Sequence, residues 1–193
     1  MYQIRVHGRD RARVTAVAEL IAAAAIRDGR HADAVCDPDS GHAGSPAEAS
    51  CRIDDAPVRT RGAVDAPDAV LVLDAALLTR RETLRGLPPD GLALVNAPGP
   101  VDGPPGVRLV AVPASEIATA HAGGGLPDAP LLGAFAAVSR AVSLAAVRKA
   151  VIARSAAELA GAECGYERLQ STGPFPLNAT EAIAAALEAH HAP

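Results

Sequence analysis

Three short apolar runs constrain the fold of this chain more than any other feature of its sequence. They lie within residues 69–73, 91–96 and 107–112; Asp74 follows the first run, Asn96 ends the second and Pro113 follows the third. Continuous apolar runs of this length, without alternation, are typical of parallel strands that are covered on both faces. The runs therefore predict an open α/β sheet, in which ligands or partners meet the carboxyl ends of the strands.

The N-terminal third of the sequence extends this pattern. Residues 4–7 alternate and end in His7-Gly8, which indicates a first strand and a turn, and residues 31–36 alternate more weakly. Residues 14–28 carry an apolar stripe at helical spacing, formed by Val14, Val17, Ala18, Ile21 and Ala25. Residues 48–53 and 57–60, joined by a pair of aspartates, resemble a β-hairpin. A helix is expected over residues 76–85.

The remainder is predicted to be helical. Helices are expected over residues 115–121, 131–139, 144–153, 155–166 and 180–190, with Ser143 and Thr180 as N-caps and a linker at 170–177. The fold class is therefore α/β: a Rossmann-like open sheet, mostly parallel, with a β-hairpin insertion and a helical C-terminal part. We divide the chain into a domain at residues 1–168 and a linker with a helical tail at residues 169–193.

Composition excludes several classes of function. The 193 residues hold 22 acidic and 18 basic side chains, a formal net charge of −4, which argues against a nucleic-acid partner. No apolar run is long enough to span a membrane and the N-terminus does not resemble a signal peptide, so we expect a cytoplasmic protein. Cys36, Cys51 and Cys164 are widely spaced, which predicts reduced thiols rather than metal or cluster ligands.

Polar residues at the predicted strand ends are the candidates for a site. They are His7, Asp74 and Asn96. An acidic residue at a strand end can bind a ribose, but the Gly-rich turn that accompanies it in dinucleotide folds is absent here. His7 is compatible both with a ligand contact and with a buried, hydrogen-bonded histidine.

An ordered series of strings resembles the gamma subunit of the 2-oxoacid:ferredoxin oxidoreductases, the pyruvate synthase group. The first is Ile4-Arg5-Val6-His7-Gly8-Arg9, and the others lie at 18–20, 45–49, 52–59, 67–74, 87–91, 95–96, 132–135 and 143–144. They occur in the order and at the spacing of that family, over residues 3–168. The chain is identified as a divergent member.

The resemblance implies an accessory subunit of a hetero-oligomeric complex. Such enzymes decarboxylate a 2-oxoacid oxidatively and reversibly, with coenzyme A and ferredoxin. Thiamine diphosphate and iron–sulfur clusters are expected in the alpha, beta and delta (or fused) partners, and none is expected to be bound by this chain alone. The gamma part packs on the catalytic subunits near the active site and supplies no catalytic residue.

Two segments depart from the family pattern. After Gly8-Arg9 the family usually continues Gly-Gly-Gln-Gly, whereas residues 10–13 here read Asp-Arg-Ala-Arg; before Gly44, an Arg-rich string is replaced by Gly-His-Ala. The loss of glycines closes the backbone to a ligand, but Arg9, Arg11 and Arg13 are able to bind phosphate through their side chains. Gly8, Arg9, Arg11 and Arg13 therefore form the candidate loop facing coenzyme A or a partner subunit.

Other interpretations stay open. The loop is also compatible with a solvated or interface segment whose arginines pair with Asp10 and with a neighbouring subunit, as charged runs usually are. The chain as a whole is compatible with a stand-alone module that binds coenzyme A or a nucleotide, or with a degenerate subunit kept only for assembly.

Overall fold

The three apolar runs form adjacent parallel strands, as the sequence predicts. A computed structural model describes residues 1–41, 45–60, 62–89, 91–122, 126–152 and 154–170. The runs correspond to β4 (Ala69–Val72), β5 (Leu92–Asn96) and β6 (Arg108–Val112). The other strands are β1 (Tyr2–Gly8), β2 (His31–Cys36) and β3 (Ala47–Asp54).

The six strands form one mixed sheet in the order β2-β3-β1-β4-β5-β6. The three pairings from β1 to β6 are parallel, and the two that involve β3 are antiparallel. This arrangement confirms the predicted α/β class with a mostly parallel open sheet. The carboxyl ends of β1, β4 and β5 lie side by side, at one edge of the sheet.

Helices cover one face of the sheet. They are α1 (Arg11–Arg27), α2 (Ala114–Ala122), α3 (Asp128–Ser139), α4 (Leu144–Val151) and α5 (Ala156–Gln170). The predicted stripe of α1 is buried against this face, and Phe135 of α3 is fully buried there beside Tyr2. Small aliphatic side chains fill most of this core, so close packing rather than large rings supplies the burial. No described helix has the length and apolar character to cross a bilayer.

Irregular segments cover the opposite face, which corrects one prediction. Residues 76–85 do not form an α-helix; a 3₁₀ helix spans Ala75–Thr79 and a series of turns follows it. The carbonyl groups of Glu82, Thr83 and Arg85 accept hydrogen bonds from the Arg5 guanidinium. These carbonyls are therefore drawn toward the sheet instead of along a helix axis.

The predicted hairpin is wrong in its second strand. Residues 48–53 do lie in a strand, but 57–60 are not in the sheet, and β3 pairs with β2 and β1 instead. Pro57 has no N–H to offer a ladder, and the Asp54 side chain accepts from the Ala56 amide and turns the chain away. Arg52 then holds the loop by donating to the carbonyls of Gly62 and Ala63, at 2.9 Å each.

The C-terminal helices agree with the prediction, and Ser143 caps α4 by accepting from the Ala146 amide at 3.1 Å. The helix expected at 180–190 and the linker beyond Gln170 lie outside the described residues. The domain boundary at 168 stays a prediction.

Candidate functional site

A cavity of about 470 Å³ lies at the carboxyl ends of β1, β4 and β5. It is lined by Arg9, Asp10 and Arg13 after β1, by residues 73–75 after β4, and by Asn96 and Pro98 after β5. This is where an open α/β sheet places a ligand or partner site, and where the sequence places its candidates.

Gly8 sits beneath this cavity rather than in its wall. A Cβ at this position would lie 2.8 Å from Val14 Cγ1 and 3.2 Å from Leu73 Cδ1. Glycine is therefore needed here so that β1 can pass closely under α1 and the segment after β4.

Asp10 is the N-cap of α1. Its Oδ1 accepts hydrogen bonds from the amides of Ala12 at 2.8 Å and Arg13 at 3.4 Å. An acidic N-cap satisfies the amides that would otherwise attract an anion. The helix thus begins three residues before the predicted start at 14, and an aspartate at this position is the sequence signal that would have found it.

The three candidate arginines have different partners. Arg9 forms an ion pair with Asp74, whose other oxygen caps the 3₁₀ helix through the Ala76 amide. Arg11 turns away from the cavity and donates to the carbonyls of Pro38 and Ser40. The structure thus brings Arg9 and Arg13 together at the cavity and leaves Arg11 out, and the expected pairing of arginines with Asp10 is not formed.

Arg13 reaches across to α3, where its Nε lies 3.5 Å from Asp128 Oδ1. Asp128 is 1% exposed, and Arg154 approaches its other oxygen at 3.9 Å. Burial raises the pKa of Asp128, while Arg13 and Arg154 oppose that rise and Glu158 adds to it. This cluster ties α1, α3 and the start of α5 together beside the cavity.

Asn96 lines the cavity and also joins three elements. Its amide nitrogen donates to the Leu73 carbonyl at 3.2 Å and to Ser115 Oγ at 2.9 Å, and its oxygen accepts from the Ser115 amide. The side chain therefore fixes the ends of β4 and β5 to the first turn of α2.

The cavity is balanced in charge. Arg9 and Arg13 supply two positive charges to its wall, and Asp10 and Asp74 supply two negative ones. A phosphate binder concentrates positive charge and leaves helix amides open, and neither condition is met here. The arrangement suits a polar protein contact better than an anionic ligand.

A second polar cluster was missed by inspection of the sequence. Arg5, His7 and Arg52 are each no more than 3% exposed, on the face opposite the helices. Arg5 Nε donates to His7 Nε2 at 3.1 Å, and His7 Nδ1 lies 3.7 Å from Glu48. Burial and then the Arg5 charge lower the pKa of His7 to about 3, so His7 is neutral and its contact with Glu48 is not an ion pair. The alternation of Arg5 and His7 with Ile4 and Val6 was the available sequence signal, because alternate residues of a strand lie on the same face.

His7 therefore lies within the fold and does not line the strand-end cavity. Of the two readings of this residue, the buried and hydrogen-bonded histidine is the one the structure supports. In the described part of the chain, no set of three or more His, Cys, Asp or Glu side chains is arranged to hold a metal ion.

These features define a Rossmann-like α/β domain with a charge-balanced, partly open cavity at its strand ends. Residues 3–165 match the pyruvate ferredoxin/flavodoxin oxidoreductase family, and the chain belongs to that family. The match spans most of the sequence, and it confirms the resemblance to the gamma-type subunits.

Individual relatives agree with this assignment. The chain is 36% identical to pyruvate synthase subunit PorC of Methanothermobacter thermautotrophicus, over 78% of this chain and 83% of that protein. It is 32% identical to the pyruvate/ketoisovalerate oxidoreductases common subunit gamma of Thermococcus kodakarensis, over 78% of this chain and 85% of that protein. The crystal structure of the pyruvate oxidoreductase subunit PORC from Thermotoga maritima aligns with a TM-score of 0.73 at 28% identity, covering 86% of this chain and 95% of that one.

Proposed function

We propose that this chain is the gamma-type accessory subunit of a thiamine-diphosphate-dependent 2-oxoacid:ferredoxin oxidoreductase. The complex converts a 2-oxoacid and coenzyme A reversibly to an acyl-CoA and carbon dioxide, and it passes the electrons to ferredoxin in the cytoplasm. Thiamine diphosphate and the iron–sulfur clusters reside in the alpha, beta and delta (or fused) partners. The observation that carries this proposal is the family match over residues 3–165, which runs through every strand and through the cavity.

We place the contact with the catalytic subunits, near their active site, at the strand-end cavity. Arg9 has 70% of its side chain exposed at the rim, while Asp74 holds it in position. Its guanidinium keeps further donors for a carboxylate or carbonyl of a partner. The balanced charge of the cavity supports a protein partner because oppositely charged pairs set register between subunits without attracting free anions.

Copurification tests the assembly directly. The chain is expressed with the products of neighbouring reading frames, and a complex containing thiamine diphosphate and iron–sulfur clusters is expected to elute with it. In the Arg9→Ala variant, the affinity of this chain for the catalytic subunits is expected to fall several-fold, because the rim contact is lost. Arg59→Ala, which removes an exposed arginine far from the cavity, is the matched control.

Calorimetry separates this function from that of a stand-alone module. The isolated chain is titrated with coenzyme A and with NAD, and no heat of binding is expected, since Asp10 occupies the helix amides. Micromolar binding that disappears in an Arg9→Ala, Arg13→Ala variant, together with failure to recover any partner, would overturn the proposal.

A further inference from the structure

A second and larger groove, of about 1070 Å³, opens at the end of the sheet where the parallel strands begin. Three arginines line it: Arg30 just before β2, Arg108 at the start of β6 and Arg140 directly after α3. The groove shares no lining residue with the strand-end cavity, which lies where the strands end. It is therefore a separate site, and the proposed subunit contact does not use it.

The lining of this groove is positive in a chain that is negative as a whole. The full sequence has a formal net charge of −4, whereas the lining holds three arginines against one acidic residue, Asp28. The lining thus has a surplus of two positive charges. A local surplus that opposes the sign of the whole chain draws a small anion to this groove rather than to the surface in general.

Two of the three arginines keep their donors for a ligand. Arg30 is engaged, because it donates to Asp55 at 2.9 Å and to the Ala141 carbonyl at 3.3 Å. Within the part of the chain that the structure describes, the side chains of Arg108 and Arg140 have neither a hydrogen bond nor an ion pair. Their guanidinium groups are therefore the free cations of the groove.

The other polar groups of the lining limit which anion fits. The two oxygens of Asp28 accept from the amide and the hydroxyl of Ser143 at 2.6 Å each, so this carboxylate is fixed in the wall. The Gln170 amide donates to the Tyr166 hydroxyl at 2.8 Å, which leaves the hydroxyl its own proton to donate. The groove thus offers one further donor and one fixed negative charge.

The backbone at Arg140 is an independent observation. Its φ is +55°, the only positive φ of a non-glycine residue among the described residues. The residue that ends a helix in this conformation is usually glycine or asparagine, because a larger side chain is strained there. An arginine at a strained position beside a groove indicates that its side chain serves a function in that groove.

We propose that this groove binds a small dicarboxylate, with one carboxylate on Arg108 and the other on Arg140. A guanidinium group binds a carboxylate through two parallel N–H···O bonds, so two free guanidinium groups suit two carboxylates. The surplus of two positive charges equals the charge of the ligand. A polyphosphate would bring more negative charge than the lining neutralises and would place it near Asp28. The inference does not depend on the proposed catalytic complex.

Thermal unfolding of the full chain tests this site. The unfolding midpoint is measured in rising concentrations of malonate, succinate, glutarate and adipate, with sodium chloride keeping the ionic strength constant. A saturable rise is expected, because a ligand that binds only the folded state stabilises it by mass action. The rise should be largest for one length of diacid, since the two arginines are fixed in the fold. Acetate at equal carboxylate concentration should give no rise.

Two variants locate the bound diacid. Arg108→Gln and Arg140→Gly are each expected to weaken its apparent affinity about tenfold or more, because charge-assisted hydrogen bonds are lost. Arg81→Gln is the matched control, because it removes the same charge from an exposed position on the other face of the sheet. Arg140→Gly also relieves the strained backbone, so its midpoint without diacid should not fall. A purely structural arginine would not combine unchanged stability with lost binding.

Three results would overturn the proposal. The first is the absence of a saturable rise with every diacid, or a rise that acetate reproduces, which would mean an adventitious ion only. The second is an equal loss of the effect in Arg81→Gln and in the groove variants, which would assign the effect to net charge. The third is a stronger effect of tripolyphosphate than of every diacid, which would make the groove a phosphate site.

Discussion

His7 shows at the scale of one residue how burial decides what a histidine does. Its ring accepts a hydrogen bond from Arg5, and desolvation followed by the Arg5 charge lowers its pKa to about 3. An unfolded chain holds the same histidine at a pKa of about 6.5. Between these values the unfolded state binds the proton and the folded state does not, so folding loses stability as the pH falls through this window.

His7→Gln should remove this contribution while keeping an acceptor for Arg5. Between pH 6.5 and 3, the free energy of unfolding of the parent chain should fall more steeply than that of the variant, by up to about 1.4 kcal/mol per pH unit. Above pH 7 the two slopes should coincide. Denaturant unfolding at a series of pH values measures both, and parallel curves throughout would contradict a neutral His7.

Asp10 belongs to the same scale, because one carboxylate decides whether the first helix can attract an anion. Asp10→Ala should destabilise the fold by about 1 kcal/mol, since two amides lose their acceptor, whereas Asp10→Asn should cost less. Chemical denaturation measures both. Equal losses of unfolding free energy in the two variants would contradict the role of Asp10 as the N-cap of α1.

Arg5 acts at the scale of elements, since it attaches an irregular segment to the sheet. Its guanidinium donates to the carbonyls of Val64, Thr83 and Arg85, while its Nε donates to His7. The three carbonyl partners lie 59 to 80 residues away in sequence, so no local pattern predicts them. This is why the segment after the 3₁₀ helix could not be predicted.

Arg5→Met should cost about 3 kcal/mol or more, because several buried carbonyls lose their donor at once. Arg11→Met, which removes two bonds from an exposed arginine to carbonyls, should cost about 1 kcal/mol or less. Urea unfolding compares the two, and proteolysis in the 80–89 segment should accelerate only in the first. Similar losses in both variants would refute the role of Arg5.

Helices α3 and α5 touch through glycine. A Cβ on Gly133 would lie 1.8 Å from the Ala162 carbonyl oxygen, and one on Gly165 would lie 2.2 Å from that of Pro130. Gly133→Ala should therefore destabilise the domain by about 1–3 kcal/mol through overpacking, whereas Gly99→Ala, which meets no atom within 4 Å, should leave it nearly unchanged. Thermal unfolding tests the pair, and an unaffected Gly133→Ala would show that the helices separate easily.

For the whole molecule, the sequence was sufficient for the parallel strands of the sheet and for most of the helices. The apolar runs, the α1 stripe and the Ser143 cap are local signals, and each reports burial or a single hydrogen bond. The false hairpin and the false helix at 76–85 failed for different reasons. Pro57 and the turn at Asp54 keep residues 57–60 out of the sheet, whereas carbonyl groups of the 76–85 segment bond to the distant Arg5.

The candidate site stays a prediction, and the structure changes how its arginines are paired. The sequence placed it at the strand ends, where the cavity lies, but it treated the arginines as one group. The structure pairs Arg9 with Asp74 and Arg13 with Asp128, and turns Arg11 away. Long-range ion pairs of this kind depend on the fold, so residue types alone do not reveal them.

Reconstitution of the complex addresses the accessory role most directly. Catalytic subunits prepared without this chain are assayed for ferredoxin reduction by a 2-oxoacid and coenzyme A, before and after the chain is added back. We expect weak activity without it, restoration at a stoichiometric amount, and none from the chain alone. Turnover by the purified chain, or full activity of the catalytic subunits in its absence, would contradict the account.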